Sequence, residues 1–371
     1  MVEPLCEYFG ICGGCSSQHI PYETQLLNKK KQLAQAINVD LNSIEVFSDK
    51  EYFYRNRMDL LFTFGGVGCR RKDDSKSCIK INKCVIIDEK INSLIQELNK
   101  NFKDVDFFNL KKNSGTFRGA VVRTSGNITS ISFVLNEDST KLSDAVEKIK
   151  EYAKINTAEN IIITYVSKDI DESISNEFFV VKGTDVLVET YLGHEFIYSV
   201  QGFFQNNTAM ASKMHQYVNK LCDDEGNKKL SLLDLYAGVG TFGINNCEFF
   251  KNLFIVEADT NCINSAKINI EKNKISNAKI VELDAMQLKK INLPEKDLFI
   301  ITDPPRCGMH MKTIEEINKL EPKKIIYISC NITQLGKELT KFKKYKLKNT
   351  AMFDLFPHTN HVEAIVELVL K

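Results

Sequence analysis

No stretch of this sequence approaches the ~18 consecutive apolar residues that a membrane-spanning helix needs. The opening Met-Val-Glu-Pro-Leu-Cys lacks the basic and apolar regions of a secretory signal. There is no internal repeat and no low-complexity linker. An excess of one charge is also missing: 49 Lys and Arg against 48 Asp and Glu leave a net +1, so composition by itself does not point to nucleic acid. These absences argue against a membrane span and against secretion, and the expected compartment is the cytosol. A reducing cytosol argues against a disulfide framework. The eleven cysteines therefore need another explanation, as metal ligands, catalytic groups or small buried hydrophobes.

The composition that remains, 43% hydrophobic and 26% charged, is that of a globular protein. A chain of 371 residues is long enough for two domains. Basic residues cluster at Lys29 to Lys31, Arg55 with Arg57, Arg70 to Lys72 and Lys341 to Lys348. Each cluster taken alone reads more readily as a solvated face than as a nucleic-acid footprint.

Residues 1–90 hold six of the cysteines and many basic residues. Residues 91–200 alternate apolar and polar positions, as in Ala120-Val121-Val122-Arg123 and Ile128–Val134, which predicts strands of a mixed α+β domain. From about residue 201 the style changes to short continuous apolar runs: 230–235, 253–257, 279–283, 298–302, 325–329 and 362–370. Such runs suit strands buried on both faces of a parallel sheet. Between them, 261–274 and 311–320 have helical length and period. The fold class expected is α/β: a doubly wound, Rossmann-like sheet over 201–371, preceded by an α+β domain over 1–200.

The run ending Asp234-Leu235-Tyr236 passes into Ala237-Gly238-Val239-Gly240-Thr241-Phe242-Gly243, a G-x-G-x-x-G turn after a strand. Glu257 ends the next strand and can accept the hydroxyls of a ribose. A nicotinamide oxidoreductase would share this much. Three features tip the reading toward S-adenosylmethionine. Asp234 suits a ligand without phosphates, since a carboxylate repels a pyrophosphate. Asp284 ends the third strand, where an adenine edge would lie. Asp303-Pro304-Pro305 leaves the fourth strand as a rigid extended exit at the ligand edge of the sheet.

The run 325–329 delivers Cys330 to that same edge. An unperturbed thiol with a pKa of about 8.5 is only slightly ionised at neutral pH, so a local charge or helix N-terminus must help it attack. Glu363 opens the last apolar run, and a carboxylate there is costly unless it has a partner or a task. It can serve as a general base raised by burial. His358 and His361, just before it, read first as structural and second as orienting or RNA-contacting groups. A thiolate, a carboxylate and a methyl donor together suggest one chemistry. Addition of sulfur to carbon 6 of uracil makes carbon 5 nucleophilic, methyl transfer follows, and a base then removes the carbon 5 proton.

Taken together, these residues resemble the RNA uracil-5 methyltransferase family, from Cys6 to the end of the chain. Gly202-Phe203-Phe204-Gln205-Asn206-Asn207 is similar to its F-x-Q-x-N segment, whose glutamine contacts the methyl donor. Asp234–Gly240 resembles its first donor motif, Ser329-Cys330-Asn331 its nucleophile motif, and Phe356-Pro357-His358-Thr359 with Glu363 its terminal motif with the base. The resemblance implies Cys330 and Glu363 as catalytic residues. With Asp284 it gives a donor site of Gln205, Tyr236, Gly238, Glu257, Asp284 and Asp303. Departures are small: Ala237 replaces a common cysteine, Thr241 an asparagine, and the arginine segment reads Pro304-Pro305-Arg306-Cys307-Gly308. Cys307 raises RNA cytosine-5 methylation as a minor alternative, weakened because Cys307 follows Pro-Pro-Arg rather than proline directly. A non-catalytic iron–sulfur RNA-binding protein is a further rival, opposed by the intact motifs.

Cys6, Cys12 and Cys15 lie within ten residues, with Gly13 and Gly14 allowing the loop to wrap a metal. Physical reading leaves structural zinc or a 4Fe–4S cluster open, with the fourth ligand from Cys69, Cys78 or Cys84. The resemblance implies a 4Fe–4S cluster on Cys6, Cys12, Cys15 and Cys84. It also implies an RNA substrate and no additional β-barrel before Cys6. That resembles the shorter branch acting on 23S ribosomal RNA, with transfer RNA as the alternative. A monomer is expected, and the helical segment 22–36 is expected to pack across onto the catalytic domain.

Overall fold

The computed structural model describes residues 2–291, 293 and 297–371. The six apolar runs form strands at Ser231–Leu235, Asn252–Glu257, Ala278–Glu282, Leu298–Thr302, Lys324–Ser329 and Glu363–Leu370. They belong to an eight-stranded sheet ordered Ile44–Phe47, Tyr345–Phe353, Glu363–Leu370, Lys324–Ser329, Leu298–Thr302, Ser231–Leu235, Asn252–Glu257, Ala278–Glu282. Glu363–Leu370 runs antiparallel to both neighbours, and the other pairs are parallel. The predicted helices appear as Thr260–Lys272 and Met311–Leu320. This is the expected α/β fold, with a sheet that is mixed and not wholly parallel.

Two strands of this sheet escape the pattern reading. Tyr345–Phe353 begins Tyr-Lys-Leu-Lys, with Lys346 and Lys348 exposed at the sheet margin, so its first half looks like a basic cluster. Ile44–Phe47 forms the edge, parallel to Tyr345–Phe353, some 300 residues away in sequence. Only long-range pairing makes it a strand.

The helix Tyr22–Ile37 lies beside that edge. It ends where Asn38 turns left-handed (φ 54°) and donates its N–H to the Ala34 carbonyl, an αL cap. Leu26, Leu33 and Ile37 form a stripe buried with Ile325, Leu335 and Val366. Its closest approach is to the helix Ile332–Leu339 at Gly336, where a Cβ would stand 2.0 Å from the Ala36 carbonyl oxygen. Any larger residue there forces the two helices apart.

A second, seven-stranded sheet is ordered Cys78–Lys80, Gly66–Arg70, Arg57–Thr63, Phe117–Ser125, Ile128–Asn136, Asn160–Val166, Phe178–Lys182. The helices Glu89–Asn101 and Leu142–Ala153 cover its apolar face, burying Leu98, Phe102 and Tyr152 against Phe117 and Phe133. The alternating residues Phe117–Ser125 are buried throughout, polar positions included. The polar face is covered by the chain around residues 188–202: Gln201 Nε2 donates to Thr164 Oγ1 at 2.6 Å and Arg123 to the Gly202 carbonyl at 2.5 Å. Each buried polar group that is so paired avoids the cost of losing water.

Candidate functional site

The strand Ser231–Leu235 ends at Tyr236, which turns left-handed (φ 58°) and starts the glycine turn. The short helix Thr241–Asn246 follows. Asp234 is not open to a ligand: it is buried and accepts the Gly243 N–H at 2.7 Å. A Cβ on residue 243 would lie 2.7 Å from that carboxylate oxygen, which is why the third glycine is required. Glu257 does come together with Gly238, accepting its N–H at 2.8 Å on Oε2, while Oε1 accepts from Ala258 and Asp259. Asp284 caps the next turn, accepting the Met286 N–H at 2.8 Å. Gln205 is half-buried, its carbonyl held by Asn56 Nδ2 at 3.1 Å. Tyr236, Glu257, Asp284 and Asp303 thus stand at the carboxyl ends of adjacent strands, where open α/β sheets bind ligands, while Gln205 lies in the loop before the helix Thr208–Cys222.

Cys330 is half-buried at the end of Lys324–Ser329. Asn331 caps the following helix, accepting from Gln334 N, and its Nδ2 donates to the Arg306 carbonyl at 2.9 Å. Glu363 is buried at the first position of its strand. In the antiparallel pairing of these strands Ser329 faces Ala364, so the next step of the register puts Cys330 opposite Glu363. Burial, then Glu363 and Asp303, push the Cys330 thiol up to about 11, and Arg306 opposes the rise. Burial, then Asp303, hold Glu363 well above the usual carboxylate range, again opposed by Arg306. Burial raises Asp303 to about 7. One thiol and two carboxyls therefore share this edge, with Arg306 as a positive neighbour. Cys330, Glu363 and Asp303 are sequence-predicted site residues and Arg306 is not, although an arginine directly after two prolines at a strand exit marks it. Cys307 is exposed and its thiol points to its own Gly308 carbonyl.

His358 is buried, pushed down to about 4 chiefly by burial, and hence neutral. His361 is exposed, with its edge against Phe356. Lys29 departs from the basic-cluster reading: it is buried and ion-paired to Asp354 at 2.6 Å. Arg57, Arg70 and Arg71 each pair with an aspartate, Asp59, Asp171 and Asp73.

Cys6, Cys12, Cys15 and Cys84 line one cavity of about 670 Å³, together with a fifth thiol, Cys69. Cys78 is absent from that lining and sits on the edge strand Cys78–Lys80. A hydrogen bond from Cys69 holds Cys12 below its ordinary value, whereas burial pushes Cys15 up to about 11 and Cys84 up to about 12. All eleven cysteines are free thiols. Among the described residues no group of three or more His, Cys, Asp or Glu is drawn together tightly enough to hold a metal ion. The iron–sulfur expectation therefore has a shared cavity behind it but no assembled ligand set. Among the described residues no helix is long and apolar enough to cross a membrane.

Asp234, raised to about 8 by burial, and Asp303, raised to about 7, make a prediction for stability. A carboxyl raised in the folded state stabilises fully below its unfolded value of about 4 and loses that contribution as pH rises through its folded value. The melting temperature of the ligand-free protein should fall by a few °C between about pH 5 and pH 8. Asp234→Asn should flatten the slope. Thermal melts across that range check it, and identical slopes for both proteins would refute it.

A family model described as tRNA (Uracil-5-)-methyltransferase matches residues 21–371. An uncharacterized RNA methyltransferase of Caldanaerobacter subterraneus is 32% identical, over 98% of this chain and 84% of that one. A tRNA (uracil(54)-C(5))-methyltransferase of Pyrococcus horikoshii is 30% identical, over 98% of this chain and 85% of its own length. Among solved structures, the Pyrococcus abyssi tRNA (uracil-54, C5)-methyltransferase in complex with S-adenosyl-L-homocysteine superposes with a TM-score of 0.80. It is 26% identical and covers 96% of this chain and 86% of that one.

Proposed function

Because this chain belongs to the tRNA (uracil-5-)-methyltransferase family, whose members methylate carbon 5 of uracil in RNA from S-adenosylmethionine, we propose that its substrate is a transfer RNA uridine, with Cys330 as nucleophile and Glu363 as base. The observation that carries the assignment of roles is the register that sets Cys330 opposite Glu363, with Asp303 and Arg306 as their charged neighbours. The expectation of 23S ribosomal RNA gives way to transfer RNA because the named relatives act on tRNA uracil 54.

Gln205, Tyr236, Gly238, Glu257, Asp284 and Asp303 would hold S-adenosylmethionine, whose sulfonium supplies the methyl group and which leaves as S-adenosylhomocysteine. Cys330 Sγ, as thiolate, forms a bond to carbon 6 of uracil, and the displaced π electrons make carbon 5 nucleophilic. After methylation of carbon 5, Glu363 takes the carbon 5 proton. The carbon 5–carbon 6 double bond re-forms as the bond to Cys330 breaks, returning the thiolate. A buried carboxylate is a strong base for this step, since the surroundings that raise its pKa also raise its proton affinity. Arg306 favours the ionised forms of Cys330 and Glu363 that these steps consume.

In this reading residues 201–371 carry methyl transfer, and the seven-stranded sheet within 1–200 carries RNA contact and a cluster. Of the five thiols that line one cavity, Cys6, Cys12, Cys15 and Cys84 would hold a 4Fe–4S group in a structural role, as four-thiolate ligand chemistry allows. Cys84→Ser should then lose iron and visible absorbance after anaerobic purification, whereas Cys78→Ser should retain both. Loss with Cys69→Ser but not with Cys84→Ser would move the fourth ligand to Cys69.

The substrate is tested with labelled methyl donor, transfer RNA and 23S ribosomal RNA as competing acceptors, and mapping of 5-methyluridine at nucleotide resolution. Label is expected in transfer RNA at uridine 54. Label confined to ribosomal RNA would overturn the proposal.

A further inference from the structure

The turn between Phe353 and Glu363 joins two residues that pair directly with each other across antiparallel strands. Its successive carbonyls are each held by a group remote in sequence. Asn207 Nδ2 donates to Leu355 O at 3.1 Å, Lys29 Nζ to Phe356 O at 3.0 Å and the Tyr54 hydroxyl to Pro357 O at 3.0 Å. His358 O accepts the backbone N–H groups of Ser16 at 2.9 Å and Ser17 at 3.1 Å. Gln25 closes the arrangement. Its Oε1 accepts the His358 N–H at 3.0 Å, and its Nε2 lies 3.1 Å from His358 Nδ1, 3.0 Å from Ser17 O and 2.8 Å from Ile20 O. Tyr22 and Lys29 both bind the buried Asp354 at the start of the turn.

This is more fixing than burial of a turn requires. His358 sits in the left-handed region (φ 63°), a conformation that a histidine keeps only when its surroundings over-determine it. A buried ion pair such as Lys29–Asp354 adds little net stability over apolar packing; what it adds is a defined position. Apart from Asn207 and Tyr54, the residues that supply the hold lie within Ser16 to Lys29, which follow directly on Cys15 and run into the helix Tyr22–Ile37, itself packed on the helix after Cys330 at Gly336.

We infer that the segment from Ser16 to Lys29 is a brace that aims Glu363 across from Cys330, and that Gln25 is a positioning residue for the proton-abstraction step. The inference rests on reading Glu363 as the base. It gives the segment after the amino-terminal cysteines a task in the reaction besides any contact with RNA, because whatever orders Cys12 and Cys15 also orders Ser16 and Ser17.

Gln25→Met keeps the length of the side chain and removes its polar contacts. The Cys330–RNA adduct should then form at the wild-type rate but break down about tenfold more slowly, with kcat lowered about tenfold and KM for RNA within about twofold. Amide hydrogen exchange across 355–362 should speed up about tenfold, while S-adenosylmethionine binding stays unchanged. His358→Asn, which tolerates the left-handed backbone and keeps the main-chain bonds, should shift both readouts in the same direction by less. It also serves as the test protein if Gln25→Met does not fold. Glu363→Gln, run in parallel, separates the two ideas: if it leaves adduct lifetime unchanged, the base assignment fails. If it prolongs the adduct while Gln25→Met and His358→Asn change neither adduct lifetime nor exchange, the brace is overturned. Loss of donor binding in Gln25→Met, in place of the late-step defect, likewise overturns it.

Discussion

Cys330→Ala is expected to lose methylation of transfer RNA by about 10⁴-fold or more, with S-adenosylmethionine affinity changed by less than about twofold. The size of the loss follows from the chemistry. Carbon 5 of uracil is a poor nucleophile until sulfur adds at carbon 6, and an alanine offers nothing to add. Donor binding should survive, because Cys330 stands one strand beyond Leu298–Thr302 and does not belong to the glycine turn. Labelled methyl transfer together with titration calorimetry measures both quantities. A fully active Cys330→Ala protein would sink the thiol mechanism. Cys307→Ala, by contrast, should remain active, since Cys307 is exposed and its thiol is turned to the Gly308 carbonyl; its inactivation would revive the cytosine-5 alternative. The thiol pushed up to about 11 adds a pH signature. Adduct formation should accelerate as pH rises through neutrality, and Arg306→Met should slow it by withdrawing the positive charge that opposes the rise.

Glu363→Gln is expected to lower kcat by about 10²- to 10⁴-fold, the usual worth of a general base, while leaving the first methyl transfer intact. The two halves of the reaction should therefore separate. One methyl group per enzyme reaches RNA, and a denaturant-stable RNA–protein adduct accumulates, because the carbon 5 proton has no acceptor and Cys330 cannot leave. Gel shift of labelled RNA under denaturing conditions reads the adduct directly. Free turnover by Glu363→Gln, with no adduct, would transfer the base role elsewhere, and Asp303 is the remaining raised carboxyl beside Cys330. The substitution is a fair test because Glu363 is buried and a glutamine preserves its shape while removing its capacity to take a proton.

Much of the transfer domain could be read without coordinates. Strands such as Leu298–Thr302 and Lys324–Ser329 are buried on nearly every position, and double-sided burial leaves a continuous apolar run in the sequence. The glycine turn is equally legible, since Gly240 at φ 86° and the crowding at Gly243 admit little else. Other features are misread when taken locally. Asp234 reads as a ligand-facing acid but spends its carboxylate on the Gly243 N–H. Lys29 reads as part of a basic face but is buried on Asp354. Tyr345–Phe353 reads as a lysine cluster because only its second half is buried throughout, although the whole strand pairs with Glu363–Leu370.

The sequence by itself determined the strand order of chemistry along the chain: a donor turn, an acid before two prolines, a thiol at a strand end and a carboxylate opening the last strand. Each is a local property, set by which residues a buried strand or a tight turn accepts. The tertiary structure alone decided what those groups do to one another. Cys330 faces Glu363 because two antiparallel strands chose one register, and Gln25 reaches His358 across 333 residues because a helix near the start of the chain packs against the sheet that ends it. Register and long-range packing depend on the sum of many weak contacts, and no short window of sequence contains that sum.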